Sequence, residues 1–146
     1  MTEPRHLTES FAVAPQIAIE DLDDLKARGF RTIVCNRPDN EVPAELSAAA
    51  VEKACRERGL DFVLNPLTHG ELSLDHIERQ RNAAQSDGPV LAYCASGNRS
   101  SILWGLAVAG DYPTDEIVNR AAAAGYNLQG VAPQIDALAE RESNSN

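Results

Sequence analysis

Short runs of consecutive apolar residues alternate along the chain with longer stretches in which apolar residues recur every three or four positions. The runs are typical of buried β-strands, and the longer stretches are typical of amphipathic helices. Strands are predicted at Phe11–Ala14, Phe30–Cys35, Leu60–Leu64 and Val90–Tyr93. Helices are predicted at Ala18–Arg28, Ala44–Arg58, Ser73–Gln85, Ser101–Ala109, Thr114–Ala124 and Pro133–Glu140. The pattern therefore switches repeatedly between strand and helix.

Several predicted elements are bounded by residues that start or stop helices. Gly29 and Gly59 follow the first two helical stretches, and Ser73 is placed to cap the third. Alternating strands and helices predict an α/β fold, with a mainly parallel four-stranded sheet flanked by helices. Because no repeat or long linker divides the chain, residues 1–146 are expected to form one domain with a core at about 8–140. The polar tail 141–146 is expected to be disordered.

Composition narrows the classes of partner. The chain carries 22 acidic and 13 basic residues, a net charge of −9, which argues against nucleic acid and acidic membrane surfaces as partners. Its three cysteines are odd in number and lack framework spacing, so a cytoplasmic location is expected. Cys55 falls inside a predicted helix and is expected in the core. The cysteines and histidines show no zinc-ligand spacing, and no metal or other cofactor is expected.

One segment of the chain points to a chemistry. The strand Val90–Tyr93 runs into Cys94, which is followed by Ala95, Ser96, Gly97, Asn98, Arg99 and Ser100. A cysteine at a helix start and beside a cation ionises readily, and the thiolate is the nucleophile. Gly97 allows backbone N–H groups of the turn to face inward, Arg99 offers a planar fork for an oxyanion, and Ser100 is placed to donate to the thiolate. We therefore predict that Cys94 is a nucleophile inside an anion-binding turn.

The end of the second predicted strand should lie near this turn, because ligands bind such sheets at the carboxyl ends of the strands. Cys35 and Arg37 lie at that end. Arg37 either adds a second positive charge to the site or pairs with Asp39 or Glu41 on its own loop. Cys35 is either a packed strand residue or a redox partner of Cys94.

Three stretches resemble the phosphatase-like domain family of beta-lactamase hydrolase-like proteins: Asn36–Asp39, Tyr93–Ser100 and Gly125–Leu128. The opening of the chain, Ala14–Arg37, is also similar to that of small dual-specificity phosphatases. The resemblance covers about residues 8–130. It implies a cysteine-phosphatase-type fold in which the cysteine and the arginine of the turn act on a small anion.

The chain departs from cysteine phosphatases in three ways. They place five residues between cysteine and arginine, whereas four separate Cys94 from Arg99, and they usually have histidine where this chain has Tyr93. The shorter form, Cys-x-x-Gly-x-Arg-Ser, is similar to the active loop of rhodanese sulfurtransferases. In cysteine phosphatases an aspartate on a loop donates a proton to the leaving group. The corresponding loop of this chain contains no aspartate, which leaves His69 and Glu71 as candidate acids.

Three functions follow from these observations. The first is a sulfurtransferase in which Cys94 takes up a sulfane sulfur as a persulfide, because sulfite leaves without the help of an acid. The alternative is a phosphatase that acts on protein or aryl phosphates through a phosphocysteine intermediate. The third is an anion-binding or redox-sensing module without turnover. The expected partner is a small anion such as thiosulfate, a persulfide or a phosphate ester, with a partner enzyme of sulfur metabolism in the first case.

Overall fold

The sheet follows the predicted alternation of strands and helices. The computed structural model of the chain describes residues 3–144. Its strands are β1 (Arg5–His6), β2 (Phe11–Ala14), β3 (Thr32–Cys35), β4 (Asp61–Leu64) and β5 (Val90–Tyr93), in the spatial order β1-β2-β5-β3-β4. Strands β2, β5, β3 and β4 are parallel, and β1 is antiparallel to β2. The predicted α/β fold with a mainly parallel sheet is confirmed.

Strand β1 is not predicted by the sequence pattern. It has only two residues, both exposed, so no apolar run marks it. Arg5 and His6 pair with Val13 and Ala12 at the edge of the sheet. The expected count of four strands is therefore corrected to five for the sheet of residues 3–144.

In the described part of the chain, six α-helices accompany the strands: α1 (Asp21–Ala27), α2 (Ala48–Glu57), α3 (Leu74–Ala84), α4 (Asn98–Ala107), α5 (Thr114–Ala123) and α6 (Ala132–Asn144). Helix α2 begins at Ala48 and not at Ala44, because the Ser47 side chain caps it by accepting the N–H of Ala50 at 3.2 Å. Helix α4 begins at Asn98 and not at Ser101, directly after the left-handed Gly97.

The last helix is longer than expected. Helix α6 continues to Asn144, beyond the predicted end at Glu140 and into the segment that was expected to form the tail. Glu140 and Arg141 are residues that favour helix, and the helix continues through them beyond the predicted end. Residues 145 and 146, also expected to be disordered, lie outside the described residues.

Successive residues of each strand project to opposite faces of the sheet, and each face has its own apolar core. Val90 and Ala92 of β5 belong to the core covered by α3, α4, α5 and α6. Leu91 and Tyr93 belong to the core covered by α1 and α2. By this alternation, Cys94 projects to the side of α3 and α4.

The parallel strands end in register at one edge of the sheet. Tyr93 at the end of β5 pairs with Ala14 of β2 and with Cys35 of β3, and Cys35 pairs with Leu64 of β4. The loops that follow β3, β4 and β5 therefore leave from the same edge, where Cys94 also lies. Within residues 3–144, none of the helices combines the length and the apolar character that crossing a bilayer requires.

Candidate active site

Cys94 lies directly after the central strand β5 and is buried, with 1% of its surface exposed. Its N–H donates to the carbonyl of Ala14 at 3.4 Å, which ties it to β2. The next two residues, Ala95 and Ser96, are exposed. The thiol therefore lies at the floor of the site, beneath a turn that faces solvent.

The turn directs a backbone N–H to the sulfur. Gly97 has a φ of 96°, a left-handed conformation that glycine adopts without strain, and it immediately precedes α4. Its N–H donates to Sγ of Cys94 at 3.1 Å. The N–H of Asn98 is occupied, because it donates to Oγ of Ser96 at 3.2 Å. The Gly97 N–H of the turn therefore points to the sulfur, whereas the Asn98 N–H forms a hydrogen bond within the turn.

Other N–H groups of the turn are available to a ligand. Within residues 3–144, the N–H groups of Ala95, Ser96, Arg99 and Ser100 have no hydrogen-bond acceptor. The first N–H groups of an α-helix lack intrahelical partners, and the helix dipole favours an anion beside them. The ten-residue helix α4 therefore presents unpaired donors next to the Cys94 thiol.

Arg99 is buried and held on two sides of its guanidinium. Nη1 and Nη2 donate to the two carboxylate oxygens of Glu41 at 3.0 and 2.7 Å, and Nη1 also donates to the carbonyl of Leu67 at 2.7 Å. A guanidinium has five N–H groups, so two remain, on Nε and Nη2, along one edge. Hydrogen bonding by Glu41 raises the pKa of Arg99, and Cys94 raises it further, against the opposing effect of burial. The open edge of Arg99 is thus a fork for an oxyanion beside Cys94.

Glu41 enters the site although the sequence analysis considered it only as a partner of Arg37. It ends a short 3₁₀ helix, Asp39–Glu41, and pairs with Arg99 at 2.7 Å and with Arg37 at 3.3 Å. Hydrogen bonding by Arg99, supported by Arg37, holds the pKa of Glu41 below its ordinary value of 4.5. Glu41 is therefore ionised at neutral pH and cannot serve as a proton donor. Arg37 is linked to the site through this carboxylate and through Gln16, which accepts from Arg37 at 3.2 Å and donates its N–H to the carbonyl of Ala95 at 3.4 Å.

Ser100 belongs to a buried network of polar side chains beneath the turn. Its hydroxyl donates to Oδ1 of Asn36 at 2.9 Å, so its proton is not directed at Cys94 as the sequence analysis expected. The same oxygen accepts a hydrogen bond from Gln80 of α3 at 2.9 Å, and Asn65 donates to Gln80 at 2.9 Å. This network joins the ends of β3 and β4 to α3 and to the start of α4, and it fixes the floor of the site.

The candidate acids lie on the loop between β4 and α3. The carbonyl of Leu67 on this loop accepts a hydrogen bond from Arg99, but His69 and Glu71 farther along are exposed. The loop turns there through a hydrogen bond from the N–H of Glu71 to the carbonyl of Thr68 at 3.0 Å. The structure therefore brings the loop to the site without bringing either acid to a buried position.

Cys35 faces away from Cys94. It pairs in register with Tyr93, and both belong to the core under α1 and α2. Its thiol donates to the carbonyl of Arg37 at 3.3 Å. Burial raises the pKa of Cys35 and raises that of Cys55 to about 11, so both thiols are protonated at neutral pH. The geometry does not support a redox pair between Cys35 and Cys94, because the sheet separates them.

Tyr126, in the segment after α5, closes one side of the turn. Its hydroxyl donates to the carbonyl of Ser96 at 3.0 Å, and a Cβ atom on Gly97 would lie 2.2 Å from that hydroxyl. Burial raises the pKa of Tyr126; Arg5 opposes this effect and Cys94 adds to it. The sequence analysis used this segment only for a family resemblance. No local spacing could reveal the contact, because 30 residues separate Ser96 from Tyr126.

A cysteine after a central parallel strand, followed by a turn of N–H donors and a helix with arginine in its first turn, is the arrangement of a phosphatase-like domain. A candidate phosphatase from Neisseria meningitidis superimposes with a TM-score of 0.77, is 34% identical, and covers 91% of this chain and 96% of that chain. Tk-PTP in its active form superimposes with a TM-score of 0.71 at 18% identity, covering 94% of this chain and 97% of that chain. The predicted cysteine-phosphatase-type fold is confirmed.

The chain belongs to the family described as beta-lactamase hydrolase-like protein, phosphatase-like domain, whose model matches residues 3–111. The beta-lactamase hydrolase-like protein of Agrobacterium fabrum is 31% identical over 106 residues, which cover 72% of this chain. The chain spans only 25% of the length of that relative. The predicted family is confirmed, and these findings support a phosphatase better than the sulfurtransferase that the sequence analysis placed first.

Proposed function

We propose that the domain hydrolyses phosphate monoesters with the Cys94 thiolate as nucleophile. One observation carries the proposal: the Gly97 N–H and the Arg99 guanidinium interact with the Cys94 thiol, and beside them the N–H groups of residues 95, 96, 99 and 100 and two N–H groups of Arg99 have no acceptor within the described chain. A phosphoryl group in transfer spreads its charge over three oxygens, and these donors can give each oxygen two hydrogen bonds. The family and the 34% identical structural neighbour support the same class.

The proposed reaction has two steps. Sγ of Cys94 attacks phosphorus, the bond from phosphorus to the ester oxygen breaks, and the leaving group departs with that electron pair. Water then attacks the phosphocysteine, the bond from sulfur to phosphorus breaks, and the thiolate is regenerated. The water supplies the proton that the leaving alcohol finally carries. Arg99 and the turn N–H groups stabilise the charge on the three oxygens in both steps.

The way in which the leaving group is protonated limits which phosphate esters can be substrates. Glu41 is ionised, Oδ1 of Asp39 accepts a backbone N–H at 2.8 Å, and His69 and Glu71 are exposed. Because none of these four described acids is a fixed proton donor, the rate depends on how well the leaving group departs as an anion. Aryl phosphates of acidic phenols are therefore the proposed substrates, ahead of alkyl phosphates.

A series of aryl phosphates whose phenols become progressively more basic tests this proposal. We expect kcat/KM to fall steeply along the series, to be lost in Cys94→Ser and to be inhibited by vanadate. Cys55→Ser is the matched control, because Cys55 is equally buried but lies in α2, away from the turn. Absence of hydrolysis that depends on Cys94, across the whole series, would overturn the proposal.

A sulfurtransferase is the second candidate, and the length of the turn favours it. Four residues separate Cys94 from Arg99, as in rhodanese-type loops. Sγ of Cys94 would attack the sulfane sulfur of thiosulfate, the bond between the two sulfurs would break, and sulfite would leave with the electron pair. The persulfide on Cys94 would then transfer its terminal sulfur to cyanide, which yields thiocyanate and regenerates the thiolate. No step needs a proton donor.

Parallel assays on one preparation separate the two candidates. Thiocyanate formation from thiosulfate and cyanide is measured beside hydrolysis of the most reactive aryl phosphate, each with Cys94→Ser as control. Mass spectrometry of the peptide that holds Cys94 identifies the intermediate as an added sulfur or an added phosphoryl group. A persulfide with turnover to thiocyanate, and no hydrolysis, would replace the first candidate by the second.

A further inference from the structure

The peptide unit between Ser96 and Gly97 is held at both of its polar groups. Its N–H, which belongs to Gly97, donates to Sγ of Cys94 at 3.1 Å. Its carbonyl, which belongs to Ser96, accepts the hydroxyl of Tyr126 at 3.0 Å. A trans peptide unit is planar, and its C=O and N–H point in opposite directions. A partner that fixes the carbonyl therefore also fixes the direction of the N–H.

We propose that Tyr126 is a positioning residue for the nucleophile: its hydroxyl holds the Ser96 carbonyl and thereby keeps the N–H of Gly97 on the Cys94 sulfur. The inference rests on the proposed role of Cys94 as nucleophile, and it applies equally to phosphoryl and sulfur transfer. A donor on the carbonyl also polarises the peptide unit, which strengthens the hydrogen bond from its N–H to a thiolate.

The position of the tyrosine is set by its surroundings. Gly125 follows the cap of helix α5 with a φ of 98°, and the N–H of Tyr126 donates to the carbonyl of Ala121 at 2.8 Å, as in a Schellman motif. The Arg5 guanidinium lies 5.4 Å from the centre of the ring. The Tyr126 hydroxyl packs against Gly97, because a Cβ atom built on Gly97 would lie only 2.2 Å from the hydroxyl oxygen. The ring is thus packed between β1 and the cysteine turn.

The charged groups around Cys94 come from several elements. Within residues 3–144, Arg99 of α4 and Tyr126 interact with Cys94, Glu41 acts through Arg99, and Arg5 of β1 lies behind the tyrosine ring. A change of tyrosine to phenylalanine removes the hydroxyl but keeps the ring and its stacked arginine. A change in the reactivity of the Cys94 thiol then reports the orientation of the peptide unit between Ser96 and Gly97, because Arg99 and Glu41 are unchanged.

Alkylation of Cys94 by iodoacetamide across a pH series, quantified by mass spectrometry of its peptide, tests the inference without any substrate. We expect Tyr126→Phe to move the pH midpoint of alkylation upward and to lower the rate on the acid side about three- to tenfold, the effect of one hydrogen bond. Tyr112→Phe is the matched control, because Tyr112 also lies under an arginine, with Arg120 at 5.1 Å, but it follows the far end of α4. We expect the control to leave midpoint and rate unchanged.

The outcomes distinguish this inference from the proposed function. A wild-type Cys94 that alkylates at acid pH, with the same profile in Tyr126→Phe, overturns the role of Tyr126 and leaves the function standing. A wild-type Cys94 that alkylates only in the alkaline range of an ordinary thiol overturns both. The amide proton resonance of Gly97 is the second measurement: we expect an upfield shift in Tyr126→Phe, and an unchanged resonance contradicts the inference even if the variant packs differently.

Discussion

Cys94 and Cys55 are equally hidden from solvent, with 1% and 0% of their surface exposed, yet their environments are opposite. Cys55 faces the core under α1 and α2, where burial raises its pKa to about 11. Cys94 receives the N–H of Gly97 at 3.1 Å and interacts with Arg99. Equal burial therefore does not give two thiols the same environment, and donors aimed at a sulfur favour its thiolate form.

Cys35 sharpens this comparison, because it ends the strand next to β5. Its register partner is Tyr93, the residue before Cys94. One step along the chain reverses the face on which a side chain lies. That step places Cys35 in an apolar core, where burial raises its pKa, and places Cys94 beside a helix N-terminus. The two faces of one sheet thus carry an inert thiol and a candidate nucleophile.

The largest difference in activity is expected between the serine variants of the two compared cysteines. Cys94→Ser should lower kcat/KM for an aryl phosphate by about 10⁴-fold or more, because it removes the nucleophile. Cys55→Ser should leave kcat/KM unchanged and lower the free energy of unfolding by about 1–3 kcal/mol, because it buries a hydroxyl among apolar side chains. Steady-state kinetics and urea unfolding measure the two effects. If Cys55→Ser lost activity while remaining folded, the proposed difference between the two cysteines would be contradicted.

The next effect concerns the donor on the sulfur. Gly97→Ala should lower kcat/KM about 100-fold, because alanine is strained at a φ of 96° and its Cβ would lie 2.2 Å from the Tyr126 hydroxyl, displacing the N–H. Gly130→Ala is the control, because no heavy atom lies within 4 Å of its Cβ position. Equal activity of the two variants would contradict the role assigned to the turn.

A smaller effect is expected at Glu41. Glu41→Gln should lower kcat/KM about tenfold, because a neutral amide holds Arg99 less firmly. Glu52→Gln, which breaks an exposed ion pair with Arg56, should leave activity unchanged. Similar kinetics in both variants would show that the carboxylate does not position Arg99.

The same carboxylate predicts a dependence of stability on pH. The pKa of Glu41 is lowered in the folded protein, so its pairing stabilises the fold above the ordinary value of 4.5 and is lost as the pH falls through the lowered pKa. Urea unfolding should therefore show a steeper loss of stability below pH 4.5 in the wild type than in Glu41→Gln. Parallel curves would assign the acid sensitivity to other carboxylates.

The smallest effect is expected on the inert face. The Tyr93 hydroxyl is buried in the core under α1 and α2, and burial together with the nearby Cys35 thiol raises its pKa. Tyr93→Phe should change the free energy of unfolding by less than about 1 kcal/mol and leave kcat/KM unchanged. Tyr93 stands where related enzymes carry histidine, so a large loss of activity would give that position a role that its packing does not suggest.

Local signals account for the parts of the molecule that the sequence predicted. Apolar runs marked the four longer strands, and the alternation of strand and helix placed Cys94 at a carboxyl edge. Glu41 and Tyr126 could not be found in this way, because their bonds to the turn join residues 58 and 30 positions apart. The role of Ser100 was misjudged for the same reason, since its acceptor Asn36 lies 64 positions away.

The ion pair between Glu41 and Arg99 makes two segments that are distant in the sequence depend on each other. One inserted residue before Arg99 would rotate its side chain by about 100° around the helix and carry the guanidinium away from the carboxylate. An engineer who grafts a longer phosphatase loop onto this scaffold must also relocate the acidic residue of the 39–41 segment. The two segments form a matched set that can be exchanged only as a pair.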